Sequence, residues 1–175
     1  MFFGSIASTQ SLRSVADSVA ESYSTAPDFN VNLNELDKND IIKYMEIYEV
    51  PTIEDDDLDF WANLGIFILN IFGSGYDYPN HWFFIVYTKK GNILLCEKGE
   101  KTVTIQKYDS KDKIIQDEKD NYHGNKPKFQ RKVIVKDGIT IKKLIEVADK
   151  ATGHYDLIND NCQDFVRFIC RNFEK

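Results

Sequence analysis

The chain has 175 residues, which is enough for one domain with a buried core and short for two. Its composition is 42% hydrophobic, 13% aromatic and 29% charged, which excludes collagen-like, low-complexity and wholly disordered polymers. The 22 Lys and Arg residues are outnumbered by 28 Asp and Glu residues, so the formal net charge is -6 and no nucleic-acid-binding surface is expected. Three cysteines without a CxxC pair predict neither a disulfide framework nor a zinc ribbon, and they favour a reducing compartment such as the cytoplasm.

The N-terminal part of the chain is predicted to be a helical extension. Apolar residues recur at helical spacing over residues 10–24, and Asp40 is placed to cap a second helix from Ile41 to about Glu49. Pro51 and the acidic run at residues 54–57 are typical of a solvated linker. We therefore expect residues 1–57 to form a helical extension and residues 58–175 to form the functional domain.

The most apolar stretch runs from Phe60 to Phe72 and contains two asparagines. It is well short of the roughly 20 apolar residues that a membrane-spanning helix needs, so we expect it to be core, with a buried strand beginning near Gly65. The N-terminus has no basic segment followed by a long apolar run, and no targeting sequence is expected.

A hairpin is predicted where the runs Trp82–Tyr87 and Ile93–Cys96 are joined by five turn-forming residues. If Lys89 and Lys90 form a type I turn and Gly91 supplies the left-handed residue, opposed residue numbers sum to 180. This register places odd-numbered residues of both strands on one face of the sheet.

The C-terminal half is predicted to contain strands at Thr102–Tyr108 and Lys132–Val135, separated by a polar surface excursion without a functional role at residues 109–128. A helix of about 12 residues should follow Thr140 as its cap. A last helix begins at Cys162 and has the apolar stripe Cys162, Phe165, Val166, Ile169 and Phe173. These elements predict an α+β fold in which an antiparallel sheet packs on the cysteine helix.

Cys162 is the candidate nucleophile. The unpaired N–H groups in the first turn of a helix favour a thiolate over a thiol and lower the pKa of a cysteine placed there. Free cysteines are more often buried and unreactive, and Cys96 and Cys170, which lack a helix start, are expected to be core residues.

A thiolate nucleophile needs a base, and the sequence offers three histidines. His123 and His154 fall in predicted loops. His81 begins an apolar strand, where a histidine has no packing reason to be, and is the best candidate for the base.

Glu97 is the candidate third member of the site. The hairpin register above places it on the face of His81, where a carboxylate would orient the imidazole and stabilise its charged form. A solvated residue at the end of the strand is an equal alternative, because a two-residue turn at Lys90 and Gly91 would bring Cys96 to that face instead.

Two motifs resemble a known superfamily. The pair His81-Trp82 opens a strand ahead of a hairpin, and a later segment reads Tyr155-x-Leu157-x-x-x-Asn161-Cys162-x-x-Phe165-Val166. Together they resemble the permuted NlpC/P60 proteins, and within them the lecithin:retinol acyltransferase-like branch that includes small phospholipase A/acyltransferases. The resemblance covers about residues 65–173.

The resemblance implies a permuted papain-like fold, with His81 as the base and Cys162 as the nucleophile. The chain departs from the branch at two positions. Asp164 stands where the branch commonly has a histidine next but one after its cysteine, and Glu97 would replace the second histidine of the strands.

Three functions remain open at this point. The first is a cysteine-dependent acyl hydrolase or acyltransferase that acts on lipid acyl esters through an acyl thioester. The second is a cysteine peptidase or isopeptidase with the same Cys162–His81 pair. The third is a non-enzymatic interaction module in which residues 1–57 bind a partner. No cofactor, metal or transmembrane span is predicted, peripheral membrane contact is compatible with the lipid hypothesis, and the oligomeric state is left open.

Overall fold

The computed structural model describes residues 28–32, 36–52, 80–99, 102–151 and 161–175. Within these residues the fold is α+β, with six strands in one sheet and three helices. The strands are β1 Asp28–Asn32, β2 Ile42–Pro51, β3 Asn80–Thr88, β4 Ile93–Lys98, β5 Thr102–Tyr108 and β6 Lys128–Ile134. The helices are α1 Lys111–Asn121, α2 Ile141–Asp149 and α3 Cys162–Phe173.

The sheet has the order β1-β5-β4-β3-β2-β6. Strands β5, β4, β3, β2 and β6 pair with their neighbours in antiparallel fashion, and β1 pairs with β5 in parallel. Strand β3, which carries His81, therefore lies between β4 and β2 in the interior of the sheet.

Helices cover both faces of the sheet. On the front face, Phe84 and Leu94 pack in a core with residues of α2 and α3. On the back face, Phe83 and Leu95 pack in a second core with Ile114 of α1. Neighbouring residues of the central strands are thus buried on opposite sides, which is why these strands are almost continuously apolar.

The prediction of a helix from Ile41 to Glu49 is wrong, because this segment is strand β2, between β3 and β6. The predicted helical extension over residues 1–57 is therefore wrong for the residues of β1 and β2, which belong to the sheet, and residues 1–27 lie outside the described part of the chain. Met45 and Ile47 enter the front core, and Tyr48 and Val50 enter the back core. Burial on both faces, together with an irregularity in the pairing with β6, hides the alternation that marks a half-buried strand.

Asp40 holds the hairpin turn instead of capping a helix. Its buried carboxylate accepts hydrogen bonds from the Lys90 N–H (3.3 Å) and from Asn92 Nδ2 (2.8 Å). Burial of Asp40 disfavours its charge, but these bonds and a further bond from Thr88 outweigh burial and lower the pKa of the carboxyl. A residue far from the turn in sequence therefore stabilises its geometry.

The predicted hairpin register is confirmed. Phe83 lies opposite Glu97 and Tyr87 opposite Ile93, so the paired numbers sum to 180. Gly91 has a φ of 85°, the left-handed conformation that the three-residue turn requires. The Thr88 N–H closes the turn by donating to the Asn92 carbonyl at 3.1 Å.

Most other predicted elements of the C-terminal half are confirmed, with shifted ends. Strand β5 has the predicted bounds, whereas β6 begins four residues earlier than predicted and α2 has 9 residues instead of about 12. Thr140 caps α2, since its side chain accepts from the Lys143 N–H. The polar segment at residues 109–128 contains α1, so its description as a surface excursion is wrong.

Several predictions fall outside the described residues: the helix over residues 10–24, the buried strand near Gly65 and the core stretch Phe60–Phe72. In the part of the chain that the structure describes, no helix combines the length and the apolar character needed to cross a membrane.

Candidate active site

Cys162 is the first residue of α3. The Asn161 side chain caps the helix by accepting hydrogen bonds from the Gln163 N–H (2.8 Å) and the Asp164 N–H (3.1 Å). The Phe165 ring packs on Phe84 of β3 with 5.8 Å between the ring centroids. The cap and this packing fix the helix start against the central strand of the sheet.

The thiol of Cys162 reaches the backbone on both sides of His81. The β3–β4 pairs end at Phe83–Glu97, so Trp82 lies one residue beyond the last pair. Its N–H donates to Cys162 Sγ at 3.4 Å, and the sulfur lies 3.7 Å from the Asn80 carbonyl oxygen, to which the neutral thiol can donate. Cys162 is only 5% exposed, and its sulfur lies against the backbone of the two residues that flank His81.

The environment of Cys162 favours the thiolate. Burial alone would raise its pKa. The hydrogen bond and positive charge of His81, with the N–H groups of Trp82 and Gln163, outweigh burial and hold the pKa of Cys162 below its ordinary value. The thiol is therefore the more readily ionised because of its partners, as a nucleophile requires.

His81 pairs with Glu97, and its charge interacts with that of Cys162. Its Nε2 lies 2.9 Å from Glu97 Oε2, which leaves Nδ1 as the nitrogen that can exchange a proton with Cys162. Burial of the ring opposes protonation, but the hydrogen bonds and negative charges of Cys162 and Glu97 outweigh it and raise the pKa of His81 from 6.5 to about 10. The directions of the two pKa shifts, up for His81 and down for Cys162, favour transfer of the thiol proton to the imidazole.

Two side chains of the α1 segment complete the surroundings of His81. The Tyr122 ring stacks on the imidazole, with centroids 5.0 Å apart and planes inclined by 19°. Glu118, one helical turn earlier, is 1% exposed. Sequence reasoning missed both residues. Both could have been found from the spacing of Ile114, Glu118 and Tyr122 at i, i+4 and i+8, because this spacing places the three side chains on one face of a helix.

Helix α1 is fixed to the sheet at both ends. Near its start, Lys111 Nζ pairs with Glu46 of β2 at 2.9 Å and lies 5.2 Å from the centroid of the Tyr48 ring. Beyond its end, Asn125 Nδ2 donates to the Pro51 carbonyl at 3.1 Å. These contacts hold Tyr122 and Glu118 against the back face of the sheet.

Glu118 is an unusual group for this position. Its Oε2 is buried and has no hydrogen-bond partner among the described residues. Burial, followed by the negative charge of Glu97, raises the pKa of Glu118 from 4.5 to about 8, although the charge of His81 and a hydrogen bond with Asn121 oppose this. His81, Glu97 and Glu118 each offer a ligand atom, and these atoms lie within 4.8 Å of one another, so the three residues could together hold a cation.

Cys96, Cys170 and His123 lie apart from this arrangement. Cys96 and Cys170 are buried in the front core, and burial raises the pKa of each thiol. All three cysteines are free of disulfides. His123 is exposed in the turn after α1, and His154 is outside the described residues.

No protein-family model, curated protein or solved structure matches the chain. A sulfur that is readily ionised, an imidazole on which a proton can move and a carboxylate that orients the imidazole are the groups that nucleophilic catalysis at a carbonyl carbon needs.

Proposed function

We propose that the protein is a cysteine-dependent acyl hydrolase or acyltransferase that works through an acyl thioester on Cys162. The observation that carries the proposal is the pair of His81 and Glu97, in which His81 Nε2 lies 2.9 Å from the carboxylate, next to a Cys162 sulfur that accepts a hydrogen bond from the adjacent Trp82 N–H. A structural cysteine in a core needs neither a histidine nor an acid behind it.

Two further features support a permuted papain-like (NlpC/P60) fold for this chain. The histidine strand precedes the cysteine helix in the sequence, as it does in the permuted proteins that the motifs resemble. The helix that begins with Cys162 packs on an antiparallel part of the sheet whose central strand carries His81. Glu97 would serve as the third polar group in place of the second histidine of that branch.

The proposed reaction has two steps. The Cys162 thiolate attacks the acyl carbonyl carbon, and the tetrahedral oxyanion accepts a hydrogen bond from the Cys162 backbone N–H at the helix start. His81 Nδ1 then gives its proton to the leaving alcohol or amine as the acyl thioester forms. In the second step, neutral His81 takes a proton from water or another acceptor, which attacks the thioester and releases the acid or the new acyl product together with the thiolate.

The proposed substrate class is a lipid acyl ester met by a protein of the cytoplasm. The motif resemblance points to this class, and three free cysteines agree with a reducing compartment. Cleavage of a peptide or isopeptide bond needs the same two residues, so both substrate classes are included in the test.

The test measures the intact mass of the chelator-treated protein after exposure to two electrophiles. One is an activated ester of a long-chain fatty acid, and the other is a ubiquitin-like protein with a C-terminal electrophile. We expect the fatty acyl group to be found on Cys162, to be absent from Cys162→Ser and to be retained in the matched control Cys170→Ser. Labelling by the ubiquitin-like probe alone would assign the peptidase class, and labelling by neither would favour a non-enzymatic interaction module.

A further inference from the structure

Three potential metal ligands converge behind the nucleophile, on the back face of the sheet. His81 comes from β3, Glu97 from β4 and Glu118 from α1, and their ligand atoms lie within 4.8 Å of one another. His81 Nε2 and Glu97 Oε2 are 2.9 Å apart. Two ligands of a tetrahedral Zn²⁺ ion with bonds of about 2.1 Å lie about 3.4 Å apart, so small side-chain rotations would bring the three atoms to coordinating distances.

Glu118 provides an independent indication that the group is made for a ligand. It is 1% exposed, it carries a buried carboxyl oxygen without a hydrogen-bond partner among the described residues, and one of its carboxyl oxygens belongs to the converging set. Leaving a buried carboxyl oxygen unsatisfied is costly, whereas coordination to a cation would satisfy it.

The chemistry of the donors selects the kind of ion. One imidazole nitrogen with two carboxylate oxygens suits Zn²⁺ and neighbouring transition-metal ions, whereas Mg²⁺ and Ca²⁺ prefer oxygen ligands alone. Coordination would displace the protons held by His81 Nε2 and by the Glu118 carboxyl, and the dication would balance the charges of the two carboxylates. The Glu97 side chain is 21% exposed, so the site has a solvent-facing side on which an ion can enter and keep a water ligand.

We propose that His81, Glu97 and Glu118 form a binding site for a divalent transition-metal ion of the Zn²⁺ type. The ion would occupy the position between the imidazole and the two carboxylates, with Tyr122 covering the ring of its histidine ligand.

Metal binding would also regulate formation of the acyl thioester on Cys162, an effect that rests on the proposed function. An ion on His81 Nε2 replaces the hydrogen bond to Glu97 and fixes the imidazole as a metal ligand, so the ring loses its carboxylate support. We therefore expect Zn²⁺ to inhibit formation of the acyl thioester and a chelator to restore it.

The experiment is calorimetric titration of the chelator-treated full chain with zinc sulfate, with Co²⁺ absorption spectra as a second readout of the ligand set. The background variant is Cys162→Ser, so that a thiolate does not contribute. We expect one ion per chain. Glu118→Gln should weaken binding by at least about 10- to 100-fold, the effect known even for outer-shell partners of metal sites. Glu146→Gln, a matched change of an exposed carboxylate on α2, should leave the affinity unchanged.

The metal site would be refuted if Glu118→Gln in the Cys162→Ser background binds Zn²⁺ as tightly as Cys162→Ser alone. It would also be refuted if Zn²⁺ binds the wild-type protein but not Cys162→Ser. Glu97→Gln provides a second ligand variant if Glu118→Gln does not fold, which circular dichroism will show. Acylation of the metal-free wild-type protein is measured separately. Zn²⁺ binding without acylation would refute only the proposed function, and acylation without Zn²⁺ binding would refute only the metal site.

Discussion

Replacement of His81 tests whether the imidazole is the base for Cys162. The substitution is expected to affect folding as well as activity, because His81 is only 5% exposed and its ring stacks on that of Tyr122. We expect His81→Ala to lower turnover by about 100- to 10,000-fold, the usual effect of losing a positioned acid–base group. This corresponds to about 2.7 to 5.5 kcal/mol of activation free energy.

The same substitution should also lower stability. Truncating a buried side chain of this size costs about 2 to 5 kcal/mol of folding free energy, because a cavity remains beneath Tyr122. His81→Gln separates the two effects, since its amide can reach toward Glu97 and refill part of the space but cannot act as a base. We expect His81→Gln to unfold at a higher denaturant concentration than His81→Ala and to be similarly inactive.

The assay is turnover of an activated acyl ester by chelator-treated protein, with urea unfolding of each variant as the measure of folding. His123→Ala is the control, because His123 is exposed in the turn after α1. Wild-type turnover by folded His81→Gln, on a substrate that Cys162→Ser does not turn over, would refute His81 as the base and leave Cys162 as the nucleophile.

Three other predictions concern the thiols, the carboxylate behind His81 and the hairpin turn. In metal-free protein at pH 6, we expect Cys162 to react with iodoacetamide faster than Cys96 or Cys170, because burial raises the pKa of the latter two thiols. Peptide mapping measures the rate at each cysteine, and a faster reaction at Cys96 or Cys170 would contradict Cys162 as the nucleophile. Glu97→Gln should reduce turnover less than loss of the histidine does, since the amide still accepts a hydrogen bond but carries no charge; unchanged turnover would show that the carboxylate does not support the imidazole. Asp40→Asn should lower the free energy of unfolding by about 1 to 3 kcal/mol at pH 7, because a buried carboxylate that accepts several hydrogen bonds is replaced. Folding lowers the pKa of Asp40 from 3.8, so the charged carboxylate contributes fully to the free energy of unfolding above pH 3.8. This contribution is lost as the pH falls through the lower pKa of the folded protein. A difference in unfolding free energy between wild type and Asp40→Asn, measured with urea, that does not shrink in acid would contradict this account.

The parts of the site that the sequence predicts are those set by local chemistry. A left-handed Gly91 is compatible with a three-residue and with a two-residue turn, and the length of the turn decides which residue of β4 shares a face with His81. The start of α3 is likewise local, since Asn161 is a good cap and an apolar stripe follows Cys162. The sequence therefore predicts the His81–Glu97 contact as one of two alternatives, and the structure has the three-residue turn that allows it.

The parts that the sequence does not predict depend on contacts between distant segments. Strand β2 is covered on both faces, so its apolar residues do not alternate and resemble a helix. Helix α1 is polar over most of its surface, and only its docking on the back face buries Glu118 and brings Tyr122 onto the imidazole. The role of Asp40 depends on a turn about 50 residues later in the chain.

The His81–Glu97 pair and the contact of Cys162 with β3 join parts of the chain that differ in sequence separation, and this difference favours one order of assembly during folding. The His81–Glu97 contact spans 16 residues within one hairpin, whereas the contact of Trp82 with Cys162 spans 80 residues. For flexible chains, closing the longer loop costs about 1.4 kcal/mol more conformational entropy. During synthesis the hairpin also leaves the ribosome well before the cysteine helix. The histidine and its carboxylate can therefore be in place first, and the pKa of Cys162 is lowered by His81 only when α3 docks beside them.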